Sequence, residues 1–204
     1  MAMKACLIVL TVVLSITLNV QAGDPNIVSD FLVPSGVNPD GKFFTFTGLR
    51  SVLRSTTPSN VPFKVTKVTN DEFAALDGQS VSYALLQYAP GGVNGPHTHP
   101  RSAELLIVLQ GWLEVGFVDS TNKLFRQILK TGDVFVFPKG LVHFQANLDP
   151  KYPAVALSAF GSANAGTIQI PRALFSSSID NIVLAKSFKV DSNTIQKMVS
   201  ANTA

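Results

Sequence analysis

Residues 91–111 read GGVNGPHTHPRSAELLIVLQG, a stretch that combines two closely spaced histidines with a carboxylate and an apolar run. The chain of 204 residues contains three histidines, and two of them, His97 and His99, lie here one residue apart. Because side chains alternate faces in an extended segment, these two imidazoles project to the same side and can converge on one ion. We therefore interpret the stretch as part of a metal site.

A carboxylate and a third imidazole complete the predicted site. Glu104 lies an odd number of positions after His99, which places it on the opposite face of an unbroken strand. Pro100 cannot donate to a strand ladder, so we expect a break or bulge there that resets the alternation and lets the carboxylate join the imidazoles. The third histidine lies in a second glycine-bounded segment, PKGLVHFQAN, at residues 138–147. The predicted ligands are His97, His99, Glu104 and His143.

The predicted ligand set contains three nitrogens, one anionic oxygen and no thiolate. Imidazole suits zinc, copper, iron and nickel, while carboxylate and water shift the preference toward manganese and other hard ions. The lack of cysteine ligands argues against a closed structural zinc site, and four ligands on an octahedral ion leave two positions for water, substrate or dioxygen. Open coordination positions indicate a catalytic rather than a structural site. The alternative is that each histidine is an ordinary surface or half-buried residue without a metal.

The two segments resemble the paired cupin boxes of plant germins and germin-like proteins. Their spacings are Gly91-x5-His97-x-His99-x4-Glu104-x6-Gly111 and Gly132-x5-Pro138-x-Gly140-x2-His143-x3-Asn147. The stretches at residues 89–92 and 171–175 are similar to germin-like proteins as well. The resemblance implies an all-β fold, a single cupin jelly-roll β-barrel with an N-terminal arm and short C-terminal helices. It also implies one manganese ion (Mn2+) per chain.

The chain divides into four predicted segments. Residues 1–22 carry one charge, Lys4, then an apolar core and the small-residue ending Val20-Gln21-Ala22, which predicts a secretory signal peptide. The apolar core is short for a bilayer-spanning helix, so an uncleaved anchor is the less favoured alternative. The other predicted segments are an N-terminal arm at 23–60, the cupin barrel at 61–170 and a C-terminal helical extension at 171–204.

Local patterns predict the elements of the last three segments. Seven runs rich in β-branched and aromatic residues predict strands at 61–68, 81–88, 104–118, 123–129, 134–137, 142–147 and 154–160. Two short amphipathic helices are predicted from the apolar faces Ile182, Leu184, Ala185, Phe188 and Ile195, Met198, Val199, with Asp191 or Ser192 as an N-cap. The aromatic run at 43–46 either packs on a neighbouring subunit, as the resemblance implies, or forms an edge strand.

Composition excludes several classes of protein. The net charge of +3 falls by one when Lys4 leaves with the signal, and the absence of a Lys/Arg cluster argues against nucleic-acid binding. The single cysteine, Cys6, leaves with the signal too, so the mature chain depends on its core and on oligomerisation rather than on disulfides. The chain thus resembles the cysteine-free branch of germin-like proteins. It contains no Asn-x-Ser/Thr acceptor for N-glycosylation.

Two polar residues are candidate substrate-binding groups. Gln145 shares a strand face with His143, and Asn94 lies three residues before His97 in the expected loop into the site. In oxalate-oxidising germins a further asparagine precedes the first box, and the matching position here is Ala84. The loss of that amide argues against oxalate as the substrate.

Three classes of function fit these observations. The first is a secreted manganese enzyme of the superoxide dismutase type, with oxalate oxidase as the enzymatic alternative. The second is a metal-dependent binding or receptor protein for a small ligand, and the third is a structural or storage protein. The resemblance implies a homohexamer built as a trimer of dimers and a link to plant defence. Because the chain ends without a retrieval signal, we expect it in the apoplast or cell wall.

Overall fold

The computed structural model describes residues 24–54 and 61–203, which form two five-stranded antiparallel sheets around one apolar core. The strands are β1 (Phe63–Val68), β2 (Ser82–Tyr88), β3 (Val93–Thr98), β4 (Glu104–Gln110), β5 (Trp112–Val118), β6 (Leu124–Lys130), β7 (Val134–Phe137), β8 (Val142–Ala146), β9 (Ala154–Phe160) and β10 (Ile168–Gln169). The helices are α1 (Leu49–Val52), a 3-10 helix (Ala74–Leu76), α2 (Ile170–Phe175), α3 (Asn181–Phe188) and α4 (Ser192–Thr203). The predicted all-β class is confirmed, while the predicted signal peptide lies outside the described residues.

The strand order shows that the chain passes repeatedly from one sheet to the other. The first sheet has the order β1-β2-β9-β4-β7, and the second has the order β10-β3-β8-β5-β6. Consecutive strands β3 and β4 lie in different sheets, as do β7 and β8. Side chains from both boxes can therefore meet in the space between the sheets.

The core follows the two-residue period of the strands. On β4, Leu106 and Val108 point inward and are at most 1% exposed, and Leu113 and Val115 of β5 are fully buried. Burial of each such side chain contributes about 1.5–3 kcal/mol to folding. The inward positions of β9 include the small residues Ala154 and Ala156, which leave space for larger side chains from the facing sheet.

The outer face of the first sheet is also apolar. The outward side chains of β4 and β7 include Leu105, Leu109, Val134 and Val136, which are between 42% and 54% exposed. Antiparallel sheets more often alternate apolar residues inside with polar residues outside. The single chain therefore leaves an apolar sheet face uncovered.

The N-terminal arm lies against its own barrel in the described residues. The Phe46 ring packs against Phe73 with centroids 5.6 Å apart, and Gln79 Nε2 donates to the backbone oxygen of Asp30. Residues 24–54 contain turns and the short helix α1 but no strand, so the edge-strand alternative for the aromatic run is not observed there.

Two of the expected strand assignments need correction. The run at 104–118 is two strands, because Gly111 adopts φ +74° and turns the chain between β4 and β5. The segment Val93–Thr98 is a strand, although the sequence places Asn94 in a loop. The strand was not predicted because Gly95 and Pro96 have low strand propensity. The pairing of β3 with β8 shifts register between Asn94 and His97.

The C-terminal extension contains three helices where two were expected. The additional helix, α2, has Pro171 in its first turn. Leu184 and Ile195 are buried as expected, but Ile182 is 60% exposed and does not join the packed face of α3. Asp191 precedes α4 and accepts from the Thr194 N–H, which fits the expected N-cap. Within residues 24–54 and 61–203, none of the helices has the length and hydropathy to cross a membrane.

The turn at Gly111 between β4 and β5 can be tested by comparing two glycines that both have positive φ. An added Cβ at Gly111 would lie 2.8 Å from the Pro153 carbonyl oxygen, whereas at Gly132 (φ +94°) no atom lies within 4 Å. We expect Gly132→Ala to lower the free energy of unfolding by about 1 kcal/mol through φ alone. Gly111→Ala should lower it by about 2–3 kcal/mol, because the backbone clash adds to the φ cost. Thermal unfolding of the metal-free variants measures both, and equal losses would contradict the close approach.

Candidate metal centre

The fold brings the four predicted ligands together between the sheets. His97 on β3 lies opposite His143 on β8, His99 follows the end of β3, and Glu104 begins β4 in the facing sheet. One ligand atom from each residue lies within 4.8 Å of the ligand atoms of the other three. The four residues are buried, with exposed fractions between 2% and 7%.

Glu104 reaches the histidines through a break between two strands, one of the two expected possibilities, and not through a bulge. The chain leaves β3 after Thr98 and crosses to the other sheet before β4 begins. The carboxylate therefore faces the imidazoles from the opposite wall of the barrel. The expected break is present, since β3 ends at Thr98, two residues before Pro100, but the change of sheet replaces the reset of alternation within one strand.

The backbone fixes the orientation of all three imidazole rings. Each ring directs Nδ1 to a backbone carbonyl oxygen: His97 to Gly95 at 2.9 Å, His143 to Leu141 at 2.8 Å, and His99 to Gly166. Because a carbonyl oxygen accepts, each Nδ1 carries the hydrogen. Each Nε2 is thereby left to face the centre of the cluster, which is the arrangement of histidine ligands supported by their surroundings.

The Glu104 carboxylate has one oxygen held by the barrel and one directed at the imidazoles. Oε1 accepts from Ser158 Oγ at 2.5 Å and from Gln145 Nε2 at 3.2 Å. Oε2 lies 3.0 Å from His143 Nε2 and 3.1 Å from His99 Nε2. Burial opposes ionisation of this carboxyl, but hydrogen bonds from His143 and His99, which their Nε2 atoms donate when these rings are protonated, outweigh it and lower its pKa to about 2.

The donor set fits a bound cation. Burial and the neighbouring His143 lower the pKa of His97 to about 4, so this imidazole is neutral at pH 7 and can act as a ligand. With Nδ1–H committed to a carbonyl, a neutral His143 or His99 would direct its Nε2 lone pair at the Glu104 carboxylate. That contact is repulsive unless a proton or a metal ion lies between the atoms. Three imidazole nitrogens and one carboxylate oxygen suit a divalent transition metal with open positions for small ligands.

The two tentative substrate-binding residues have different surroundings. Asn94 Nδ2 donates to Gln145 Oε1 at 2.7 Å, and Gln145 Nε2 donates to Glu104. Gln145 is fully buried, and both of its amide atoms are occupied by these contacts. Asn94 also lines the cavity, and its Nδ2 lies 3.4 Å from His97 Nε2. The amide chain thus orients the carboxylate, while Asn94 is the member that a ligand can touch.

Two groups that support the site were not predicted from the sequence. Ser158 on β9 donates to Glu104, and the Gly166 carbonyl accepts from His99, although both lie more than 50 residues along the chain from these partners. Ser158 could have been found from the alternation of β9, because it lies on the same inward face as Ala154 and Ala156 and is a hydroxyl among apolar residues. No local pattern indicates the role of a glycine carbonyl.

A cavity of about 500 Å3 connects the cluster to the surface. Its inner end includes His97, His99 and Glu104, and its walls include the apolar side chains Phe63, Val65, Ala84, Leu86 and Phe160. Lys67 of β1 and Arg172 of α2 also line it, and Glu104 is the one carboxylate among its described lining residues. The volume suits a small ligand, and the exposed lining cations favour an anion.

Comparisons with known proteins match both the sequence and the fold. The Cupin family profile matches residues 53–196. The chain is 55% identical over 203 residues to germin-like protein 9-3 of Oryza sativa subsp. japonica, covering 97% of this chain and 94% of that protein. A solved oxalate oxidase structure is similar with a TM-score of 0.78 at 32% identity, and oxalate oxidase in complex with the substrate analogue glycolate with 0.77 at 30%. Each covers 88% of this chain and 98% of the other.

These similarities extend over both sheets and all four candidate ligands, and they confirm the predicted jelly-roll barrel. The chain therefore belongs to the germin-like proteins of the cupin superfamily.

Proposed function

We propose that this chain is a secreted manganese protein that catalyses superoxide dismutation and releases hydrogen peroxide in the apoplast or cell wall, in the context of plant defence. The observation that carries the proposal is the buried cluster of three histidines and one glutamate at the end of a cavity lined by cations. Secretion is supported by the predicted signal peptide, and manganese by the mixed nitrogen and oxygen ligands and the resemblance to germins.

The reaction couples two one-electron steps. One superoxide loses an electron to give dioxygen, and a second gains that electron and two protons to give hydrogen peroxide. When bound, manganese supplies the one-electron chemistry. The chain itself holds the four ligands in place through the three backbone carbonyls and the Ser158 and Gln145 contacts. Its apolar walls limit water around the site, and its lining cations attract a small anion.

Oxalate oxidation is the second candidate, favoured by similarity to solved oxalate oxidases. Ala84 weakens this candidate because it lies on the cavity wall with no polar atom to hold a carboxylate. Two further alternatives are not enzymes. The protein could bind metal and a ligand without turnover, or it could use the metal for stability or storage.

Metal content and turnover test the proposal together. The wild-type protein, purified from its secretory route, should contain about one manganese per chain by mass spectrometry and should release peroxide from superoxide. His143→Ala should lose the metal and the turnover, because it removes one of the four ligands. Val142→Ala is the matched control, since that side chain is 36% exposed on the same strand. Unchanged metal in His143→Ala would refute the assigned site, while a loaded site without turnover would favour the binding role.

Charge at the cavity allows a second test. Within the described part of the chain, the Arg172 side chain has no hydrogen-bond or ion-pair partner, and Glu72 is the acid that lies near Lys67. The Lys67→Met and Arg172→Met double variant should lower the superoxide rate constant about threefold or more at low salt. The difference should vanish near 1 M salt, where the screening length is about 3 Å.

Lys64 provides the control for this experiment. It lies on the same strand as Lys67 but does not line the cavity. Lys64→Met should leave the rate unchanged at all salt concentrations. A loss in Lys64→Met as large as that of the Lys67→Met single variant would mean that net charge, rather than the cavity cations, sets the rate.

We also propose the homohexamer that the family resemblance implies, a trimer of dimers. The uncovered outer face of the first sheet supports association, as do the exposed residues Ile182 and Val183 of α3. Light scattering on the mature protein should give the mass of a hexamer. The Val134→Glu and Val136→Glu double variant should give smaller species, whereas Gln127→Glu on exposed β6 should not. A monomeric wild-type protein would contradict this proposal.

A further inference from the structure

The ring of His99 depends on a loop that is remote in sequence. His99 follows the last residue of β3, so strand pairing does not hold it directly. Its Nδ1 donates to the carbonyl of Gly166, and Thr167 Oγ1 lies 3.4 Å from the same nitrogen. Both residues belong to the β9–β10 loop, residues 161–167, which also lines the cavity. The conformation of this loop therefore sets the direction of one candidate ligand.

Arg101 holds the middle of the β9–β10 loop. Its Nε donates to the Asn164 carbonyl at 2.6 Å, and its Nη2 donates to Asn164 Oδ1 at 3.0 Å. Its backbone N–H donates to the Ala165 carbonyl at 3.2 Å. Gly166 lies against the guanidinium, because an added Cβ there would be 2.9 Å from Nη2. The loop is thus fixed from the side that carries His99.

Asp24 holds the beginning of the same loop. One carboxylate oxygen accepts from Ser162 Oγ at 2.6 Å, and the other accepts from the Ala163 N–H at 2.6 Å. Ser162 and Ala163 are at most 4% exposed, and the Ser162 carbonyl accepts in turn from Ser82 Oγ at 2.7 Å. Hydrogen bonds to a carboxylate are about twice as strong as neutral ones. Both oxygens of Asp24 are therefore committed to a buried part of the loop.

We propose that Asp24 is a positioning residue for the metal centre, which acts through the β9–β10 loop to fix the ring of His99. The proposal rests on the proposed function in that it takes His99 as a ligand. With cleavage after Ala22, Asp24 is the second residue of the mature chain, so the processed N-terminus becomes part of the support of the site. The N-terminal arm and the metal cluster lie far apart in the sequence, but in this proposal the arm helps to hold the cluster in place.

The test compares Asp24→Ala with Asp30→Ala. Both variants remove one carboxylate from the arm, but Asp30 is exposed, and its described contact is made by its backbone oxygen. In metal-free protein, diethyl pyrocarbonate modification of His99 and His143 is followed by peptide mass spectrometry in the same sample. We expect the ratio of the His99 rate to the His143 rate to rise about threefold or more in Asp24→Ala, because His143 is held by Leu141 instead of the loop.

Metal retention gives the second readout. Release of manganese to a chelator should be about threefold to tenfold faster in Asp24→Ala than in wild type. The effect should be smaller than that of removing a group hydrogen-bonded to a ligand, because Asp24 acts on His99 only through the loop. Asp24→Asn keeps one acceptor oxygen, so its release rate should lie between those of wild type and Asp24→Ala. Asp30→Ala should match wild type in both readouts.

Three outcomes would overturn the positioning role. One is an unchanged modification ratio and release rate in Asp24→Ala, even if its unfolding temperature falls, since Asp24 would then serve only to hold the arm. Another is an equal effect of Asp30→Ala. The third is an equal rise in the His143 rate, which would indicate general loosening of the barrel. A wild-type protein without metal would instead refute the proposed function, while the modification ratio would still decide the role of Asp24.

Discussion

The burial of the Glu104 carboxylate between the two sheets is the constraint on which the rest of the site depends. A charge at this depth is costly unless it is hydrogen-bonded and opposed by positive charge. Ser158 and Gln145 satisfy one oxygen, and His99 and His143 face the other. The histidines in turn require acceptors for their outer nitrogens, which backbone carbonyls supply. The centre is therefore complete only when both sheets and the β9–β10 loop are in place.

The sequence predicted which four residues cluster better than it predicted the route by which they meet. The spacing of His97, His99, Glu104 and His143 was enough to expect one cluster, because an extended segment and a second glycine-bounded segment each have a fixed side-chain direction. The change of sheet between β3 and β4 was not visible. Strand pairing is non-local, and a proline after a histidine is equally consistent with a bulge or with the end of a strand.

The remaining differences have related physical causes. Strand β3 contains Gly95 and Pro96, whose low strand propensity was overridden by pairing with β8 and β10. Ser158 and Gly166 support ligands across the barrel, so no short window of sequence contains both partners. The apolar residues of α3 were predicted to share one face of the helix, but only Leu184 is buried in a single chain. A periodic pattern shows which residues share a face and leaves open what covers that face.

The cavity and the candidate metal site share structural parts, so a change in the β9–β10 loop bears on both. The β9–β10 loop supplies cavity wall at Gly166 and Thr167 and supplies the acceptor for His99. The apolar wall around Ala84 offers few hydrogen bonds to a large polar substrate. This environment supports the proposed small-anion substrate over a large polar one.

Anomalous X-ray diffraction at the manganese absorption edge, on crystals of the natively loaded protein, tests the central claim most directly. One anomalous peak per chain is expected, within bonding distance of Nε2 of each histidine and of Oε2 of Glu104. A peak at another position, or fully ordered side chains without any peak in protein that contains manganese, would contradict it.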